Sequence, residues 1–530
     1  MRSTSLTLIG AAAASLLVLT ACAPSSPSGE ASDGAIVIAS SEPDHLTPGR
    51  TELALDQAGA IFSPLTSLTE DGDVAYVQAE SVESDDATTW TITLRDGWTF
   101  HNGEPVTSQS YVDAWNETAT ASNAWANSGQ LSAIVGWSEM NPAEGEPTAT
   151  ELSGLQVVDD TTFTVELVGP DSQFPFQLSR AQFAFYPMPE AAWDDLEAFD
   201  RQPIGNGPFE IAEPWVDNEE IELTAYADYA GDVPEVQQVT FRPYANADTA
   251  YTDVLAGNAD LVFVPATKLT SAETDFGDRF YAFEAPGVGW LGFPLEDPRF
   301  ESTALRQAIS MSIDREAVNR VIYGGIYEPS TSLTPPTVAG SPADACGEFC
   351  TFDPDRAKQL LAEAGGFDGT MELIYPGGSG LDPLFEAYAN QIRQNLGIED
   401  VVPKPTTDYA EFYDVVVGGT ATGPFFSRWG ALYPSQQNIL RSLFTQAGGC
   451  AACTGYSNPE VDALLSEAES ATTLEESYEI YAEAQDVVLA DFPTVPTFSE
   501  SYPYATSERI ASIGAVAGSV TIELIELAEG

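Results

Sequence analysis

The 530-residue chain carries two histidines, His45 and His101, and five cysteines, so a catalytic triad or an imidazole-ligated metal would have to be assembled from very few groups. Neither histidine is accompanied by a G-x-S-x-G elbow, and Gly377-Gly378-Ser379-Gly380 fails that pattern. Cys346 and Cys350, and Cys450 and Cys453, come as close pairs, which argues against a lone thiol nucleophile. No G-x-x-x-x-G-K-[ST] phosphate cradle occurs, and Gly205-Asn206-Gly207 runs straight into Pro208, so no dinucleotide fingerprint forms there. Two of the 81 acids at the right separation would make a glycosidase pair, and a secreted acid hydrolase therefore stays as an alternative. With acids this abundant no pair stands out. No stretch follows the D-x-[DN]-x-[DN]-G calcium loop, and Glu70-Asp71-Gly72-Asp73 reads as a turn. These residues present no recognisable catalytic set, and the expectation is no resident metal and no cofactor.

Composition narrows the partners. With 19 Lys plus Arg the formal net charge is −62, which repels phosphate backbones and anionic headgroups, so nucleic acid is excluded and electrostatic membrane docking disfavoured. Only Lys268, Lys358 and Lys404 are lysines, and the acids are spread along nearly every segment, as expected of a solvated acidic shell. A hydrophobic content of 43% with 26 Phe, 20 Tyr and 9 Trp supplies cores for two or three folding units.

Residues 1–21 read as an export leader: Arg2, an apolar run from Leu6 to Leu19, then Leu19-Thr20-Ala21-Cys22. This resembles a bacterial lipoprotein signal, which implies that Cys22 is lipidated and that the mature chain is extracytoplasmic and anchored to the cell membrane. Residues 22–33, rich in Ser, Pro and Gly, read as a flexible tether. Export favours disulfides among the remaining four cysteines; two local bridges, a cross pairing and a four-thiolate zinc site all remain open.

The body reads as mixed α/β. Ile36 and Ile38 alternate in a short strand; Trp90, Ile92 and Leu94 alternate with threonines, and Asp96-Gly97 is expected to turn that strand into a hairpin with Trp98 and Phe100. Phe163, Val165 and Leu167, and the segment around Val239 and Phe241, repeat the pattern, so strands are expected to dominate the first half. The second half changes to helical spacing. Leu305, Ala308, Ile309 and Ser312 share a face, ended by Gly324-Gly325; Asp353-Pro354 and Asn458-Pro459 each open a helix, and Thr473 with Glu476 forms a capping box before a helix stopped by Pro493.

The order of several blocks resembles the family 5 extracellular solute-binding proteins, the receptors of ABC importers. They are Ile61-Phe62-Ser63-Pro64-Leu65-Thr66; Trp90 through Gly97 with Phe100 through Thr107; Pro203-Ile204-Gly205-Asn206-Gly207-Pro208-Phe209; Leu305 through Glu316; Asp353 through Gly365; and Tyr456 through Leu465. Each also has a plain reading as a turn or amphipathic helix that holds the fold, His101 included. The resemblance implies a two-lobed, periplasmic-binding-protein-like fold of type II, class C, with an additional N-terminal-side lobe. By analogy lobe I combines 34–75, 196–287 and 497–530, the extra lobe is 76–195, and lobe II is 288–496. It implies a monomer that captures short peptides between closing lobes and delivers them to ABC permease subunits, or the same fold carrying a sugar, metal chelate or opine.

The family's W-x-A-D-Y pattern, whose acid pairs the ligand ammonium, aligns with Trp429-Gly430-Ala431-Leu432-Tyr433, preceded by Arg428. Leu432 stands where the acid would be, and a buried ammonium without a counter-charge is costly. Either another acid substitutes, with Glu42 at the exit of the first strand as the candidate, or the cargo has no free amine. Trp125, Trp290 and Trp429 are candidate cleft aromatics, each with a core-packing reading beside it.

Overall fold

Two 13-residue strands, Phe280–Gly292 and Thr494–Thr506, run antiparallel through the middle of an 11-stranded sheet. The computed structural model describes residues 34–69, 72–179, 182–445 and 454–529. The leader, Cys22, the tether, Glu70, Asp71, Cys450 and Cys453 lie outside them. On one side of the central pair the sheet continues through Phe425–Gly430, Met371–Tyr375 and Val401–Pro405; on the other it continues through Leu261–Phe263, Ala35–Ser40, Gln238–Pro243, Ile221–Ala225 and Phe209–Ile211. Each half grows its own apolar core. One is built from Ile36, Phe62, Trp115, Phe163, Phe241 and the C-terminal Ile510 and Ile525, the other from Trp290, Ile309, Phe385, Ile439 and Val488. Such burial, at about 25 cal/mol per Å² of apolar surface, is what holds each half together.

The helical expectations hold with their caps, except that the pattern from Leu305 to Gly324 is two helices, Thr303–Met311 and Arg315–Ile322, the second capped by Asp314. In Thr303–Met311, residues Leu305, Ala308 and Ile309 are buried. Asp353 accepts from Asp355 and Arg356 N–H at 3.1 and 3.0 Å to start Pro354–Glu363, Asn458 caps Pro459–Glu469, and Thr473 accepts from Glu476 N–H to start Leu474–Asp491. Gly324 and Gly325, at φ +67° and +84°, follow Arg315–Ile322 in a conformation that side chains resist. A disulfide joins Cys346 to Cys350, so a local bridge forms there and both cross pairing and a four-cysteine zinc site are excluded.

One expectation is corrected. Asp96-Gly97 does turn the chain, but Trp98 and Phe100 do not return along Thr89–Leu94, because that strand is already paired on both edges by Ala79–Glu83 and Thr162–Glu166. Instead Thr99 bridges Pro105, and Trp98 and Phe100 are buried in the first core. The expected division holds in number, with eleven of the nineteen strands among the described residues lying before residue 265 and the two longest helices after it, although the two longest strands fall in the second half.

The block resemblance resolves into packing. Gly205 and Gly207 press on the main chain of Ile61, where a Cβ would stand 1.9 and 2.6 Å from the Ile61 carbonyl oxygen. Asn206 accepts from Ser63 N–H and donates to the Ser63 carbonyl and Gln78. His101 Nε2–H donates to the Gly207 carbonyl at 3.1 Å while Nδ1 accepts from Gly205 N–H at 3.2 Å, which fixes a neutral tautomer. Burial pushes the imidazole down to about 4. Arg306 is likewise structural: it donates to the carbonyls of Phe300, Glu301, Asp491 and Phe492. Arg315 donates to those of Ser310, Cys350 and Pro496, and burial pulls it down to about 10.

Both features predict stability effects. A histidine whose folded pKa lies below its unfolded value of 6.5 stabilises the fold above pH 6.5, and that contribution is lost as pH falls toward 4, by about 3 kcal/mol in all. Denaturant melts of the parent and His101→Gln at pH 7 and pH 4 are expected to show the gap between them shrinking with acid. Arg306→Met strands the carbonyls it serves and is expected to cost about 3–5 kcal/mol by urea unfolding at neutral pH.

Candidate functional site

The ladder between the two long strands is broken near its centre and slips by one residue again at Thr497. Phe280–Glu284 pair with Ser501–Ala505 beside the first half of the sheet, and Val288–Gly292 pair with Thr494–Ser499 beside the second. Between them lie Ala285, Pro286 and Gly287, facing Glu500. Pro286 has no N–H to offer the ladder. A Cβ on Gly287 would stand 2.5 Å from Glu500 Oε2, so the glycine makes room for the carboxylate.

Glu500 is 6% exposed and is held bidentately by Arg428, whose Nε and Nη2 donate to its two oxygens. The Arg428 side chain is about half exposed, and the partnership raises its pKa. Beside this ion pair opens a cavity of about 200 Å³. Tyr323 and Tyr327, stacked 4.4 Å apart, form one wall, and Phe385, Tyr388, Tyr409 and Phe426 form another. Burial, with Glu500 adding to it, pushes the Tyr327 phenol up to about 12, so it stays neutral.

Arg428 belongs to Phe425–Gly430, which pairs with Phe280–Gly292 along one edge. Ala431 N–H donates to the Pro286 carbonyl at 2.8 Å, which sets the phase of the alternation: main-chain groups of Trp429 and Ala431 face that partner and those of Arg428 and Gly430 face away. On the far edge Met371–Tyr375 meets the strand only at Phe425, and among the described residues no strand pairs with it beyond that point. A Cβ added at Gly430 would meet open space.

A second crevice, of about 280 Å³, lies past the strand's end, lined by Leu55, Asp56, Leu68 and Phe183 from the first half, Leu432 and Pro434 from the second, and Tyr502 from the crossing strand. Leu432 is 53% exposed. Its main chain is pinned: its N–H donates to Asn438 Oδ1, and its carbonyl accepts from Gln182 Nε2 at 3.0 Å.

The structure therefore places Arg428, Gly430 and Leu432 on Phe425–Gly430 and just past its end, with Trp290 on the paired strand opposite Ser427. Trp290 is 2% exposed and packs in the second core. Trp429 Nε1–H donates to Asn438 Oδ1 at 2.8 Å, and the Tyr433 hydroxyl donates to Gln437 at 2.8 Å, so both serve the loop. Glu42 is placed apart, accepting from Trp215 Nε1–H and Asn218 N–H, and does not line the Leu432 crevice. Trp125 lines a separate groove with His45, Arg50 and Asn123; His45 Nδ1 is bound to Asp200 there at 2.8 Å. Sequence reasoning missed Glu500, the Tyr323–Tyr327 pair, Tyr502 and Asp56. The alternation of Glu500, Tyr502 and Tyr504 was the available signal for the first and third.

Comparison with known proteins fits this geometry. The profile described as "Bacterial extracellular solute-binding proteins, family 5 Middle" matches residues 74–449. The probable deoxycholate-binding periplasmic protein YgiS of Escherichia coli K12 is 26% identical over 478 residues, 86% of each chain. The oligopeptide-binding protein OppA of Bacillus subtilis is 24% identical over 498 residues, 89% of this chain and 88% of its own. Among solved structures, the unliganded open form of the murein tripeptide-binding protein MppA superposes with a TM-score of 0.83 at 22% identity, covering 94% of this chain and 98% of its own. Two cores joined by a double strand crossing, with an ion pair and open strand edge at the join, are thus the frame of a binding protein rather than an enzyme, and the chain belongs to family 5 of the bacterial extracellular solute-binding proteins.

Proposed function

We propose that the chain is the cargo-binding lipoprotein of an ABC importer, held to the cell membrane through Cys22, that captures short peptides between two lobes and hands them to permease subunits. The lobes are 34–75 with 196–287 and 497–530, and 288–496; residues 76–195 form the extra lobe. The observation that carries the peptide reading is the open edge of Phe425–Gly430, whose outward main-chain groups at Arg428 and Gly430 match an extended backbone and ask nothing of its side chains. Ala285-Pro286-Gly287, where the crossing ladder is broken, is the place at which lobes would bend at least cost in hydrogen bonds. Asp56, across the crevice from Leu432, is the carboxylate that meets a free amino terminus in place of the acid missing at Leu432.

A second reading keeps the fold and changes the cargo. It is favoured by the exposed Leu432 and the largely apolar crevice around it, and by a relative described as probably binding deoxycholate.

A thermal-shift titration of the full chain with pools of free and N-acetylated tripeptides separates them, because a ligand that prefers the folded state stabilises it by RT ln(1 + [L]/Kd). A rise in Tm with the free pool is expected. Gly430→Val fills the space an approaching backbone needs, and should weaken peptide binding at least tenfold while moving the unfolding free energy by no more than about 0.5 kcal/mol. Asp56→Asn should weaken free peptides by about tenfold and leave acetylated ones unchanged. A shift with deoxycholate and none with either peptide pool would transfer the assignment to the second reading.

A further inference from the structure

The cavity beside Arg428 is lined by eight aromatic residues: Trp290 and Phe498 stand on the two crossing strands, and six more come from four other parts of the second half. Tyr323 and Tyr327 follow the helix Arg315–Ile322, Phe385 and Tyr388 come from Asp382–Leu396, Tyr409 opens Tyr409–Val417, and Phe426 lies on the open-edged strand itself. The rings pack in fixed relation: Tyr323 meets Phe498 edge-on at 5.4 Å, and Phe385 meets Phe426 at 6.4 Å. The charged groups in the lining are Arg428 and Glu500, and they neutralise each other. The phenols of Tyr323, Tyr327, Tyr388 and Tyr409 are all shifted upward by burial, so they add no charge.

We infer that this cavity is a side-chain pocket that selects an uncharged aromatic residue of the cargo. The assignment rests on the peptide reading of the cleft, because Phe426, Ser427 and Arg428 line the pocket and belong to the strand whose free edge would hold the peptide backbone. A side chain leaving that backbone beside Arg428 finds a volume of about 200 Å³ with aromatic walls. Aromatic rings pack on these walls edge-on or offset and shed their water. A lysine or glutamate side chain would be stripped of water with no unpaired counter-ion to receive it, since Glu500 and Arg428 already satisfy one another. An alanine would leave the rings facing an empty or water-filled space. The pocket is therefore discriminating, while the backbone edge beside it is tolerant of sequence.

The test is calorimetric titration of the full chain with the series Ala-Ala-X-Ala, X being Phe, Tyr, Trp, Ala, Lys or Glu, each free and N-acetylated, with N-acetylphenylalanine amide as a probe too small to use the whole cleft. The aromatic members should bind about ten- to a hundredfold more tightly than the alanine member, and the lysine and glutamate members more weakly than alanine. Tyr409→Ala removes a half-exposed ring that meets the core at Phe412, so the variant should fold, as urea unfolding would check, and show a reduced preference for aromatic over alanine peptides. Affinities equal within about twofold across X would overturn the pocket while leaving the peptide reading in place. So would an aromatic preference that Tyr409→Ala leaves untouched. Saturable binding of N-acetylphenylalanine amide with no binding of any tetrapeptide would support the pocket and overturn the peptide reading. No binding of any probe overturns both.

Discussion

Everything in this fold depends on the chain crossing twice between two cores on strands that are hydrogen-bonded to one another. Phe280–Gly292 carries the chain from the first core to the second and Thr494–Thr506 carries it back, so neither half is a bead on a single tether. An uninterrupted ladder would weld the halves into one stiff sheet. The break at Ala285-Pro286-Gly287 removes that stiffness locally, and Glu500 fills the gap with a buried charge held by Arg428. Leaving Glu500 unpaired in that position would be costly, so the ion pair ties the open-edged strand to the break.

The same logic explains how an acid-rich chain uses its few cations. Arg306 and Arg315 are spent inside, on main-chain carbonyls that dock helices against the returning strand. Arg509 reaches Asp260 and the Ala35 carbonyl, tying the C-terminal hairpin to the first strand of the sheet. Arg299 holds Asp297 and the carbonyls of Thr370 and Thr422. A guanidinium offers five donors in a rigid plane, which suits it to bridging several carbonyls, and lysine could not replace it in these roles. The bias toward 16 arginines over three lysines is thus in part an internal, architectural matter and not only a surface one.

Legibility followed local signals. Helices announced by Asp353-Pro354, Asn458-Pro459 and Thr473 formed where their caps predict, because a cap satisfies its own helix and needs nothing distant. The long strands escaped notice because they contain Pro286, Pro496 and Pro503, residues that argue against a central strand. They are tolerated because register irregularities fall next to the first two, and because the Pro503 and Pro496 carbonyls still accept, from Val264 N–H and Arg315. In the site, Arg428 through Leu432 was legible as a contiguous motif, whereas Glu500, Asp56 and Tyr327 reach it from far along the chain. Glu42 misled because its place at the end of the first strand says nothing of direction: Trp215 and Asn218 claim it.

The position of the acid matters beyond its presence. A carboxylate at Leu432 would sit on the same body as the open edge, so one body could hold both a peptide's backbone and its amino terminus. On the reading proposed for Asp56, the amino terminus is held from the first half while the backbone lies along the second. A free-amine cargo then gains its charge contact only when both halves engage it, and its differential affinity falls on the arrangement that brings them together. A cargo lacking the amine would bind the strand edge without drawing on Asp56, and its grip on the closed arrangement would be weaker by that contact.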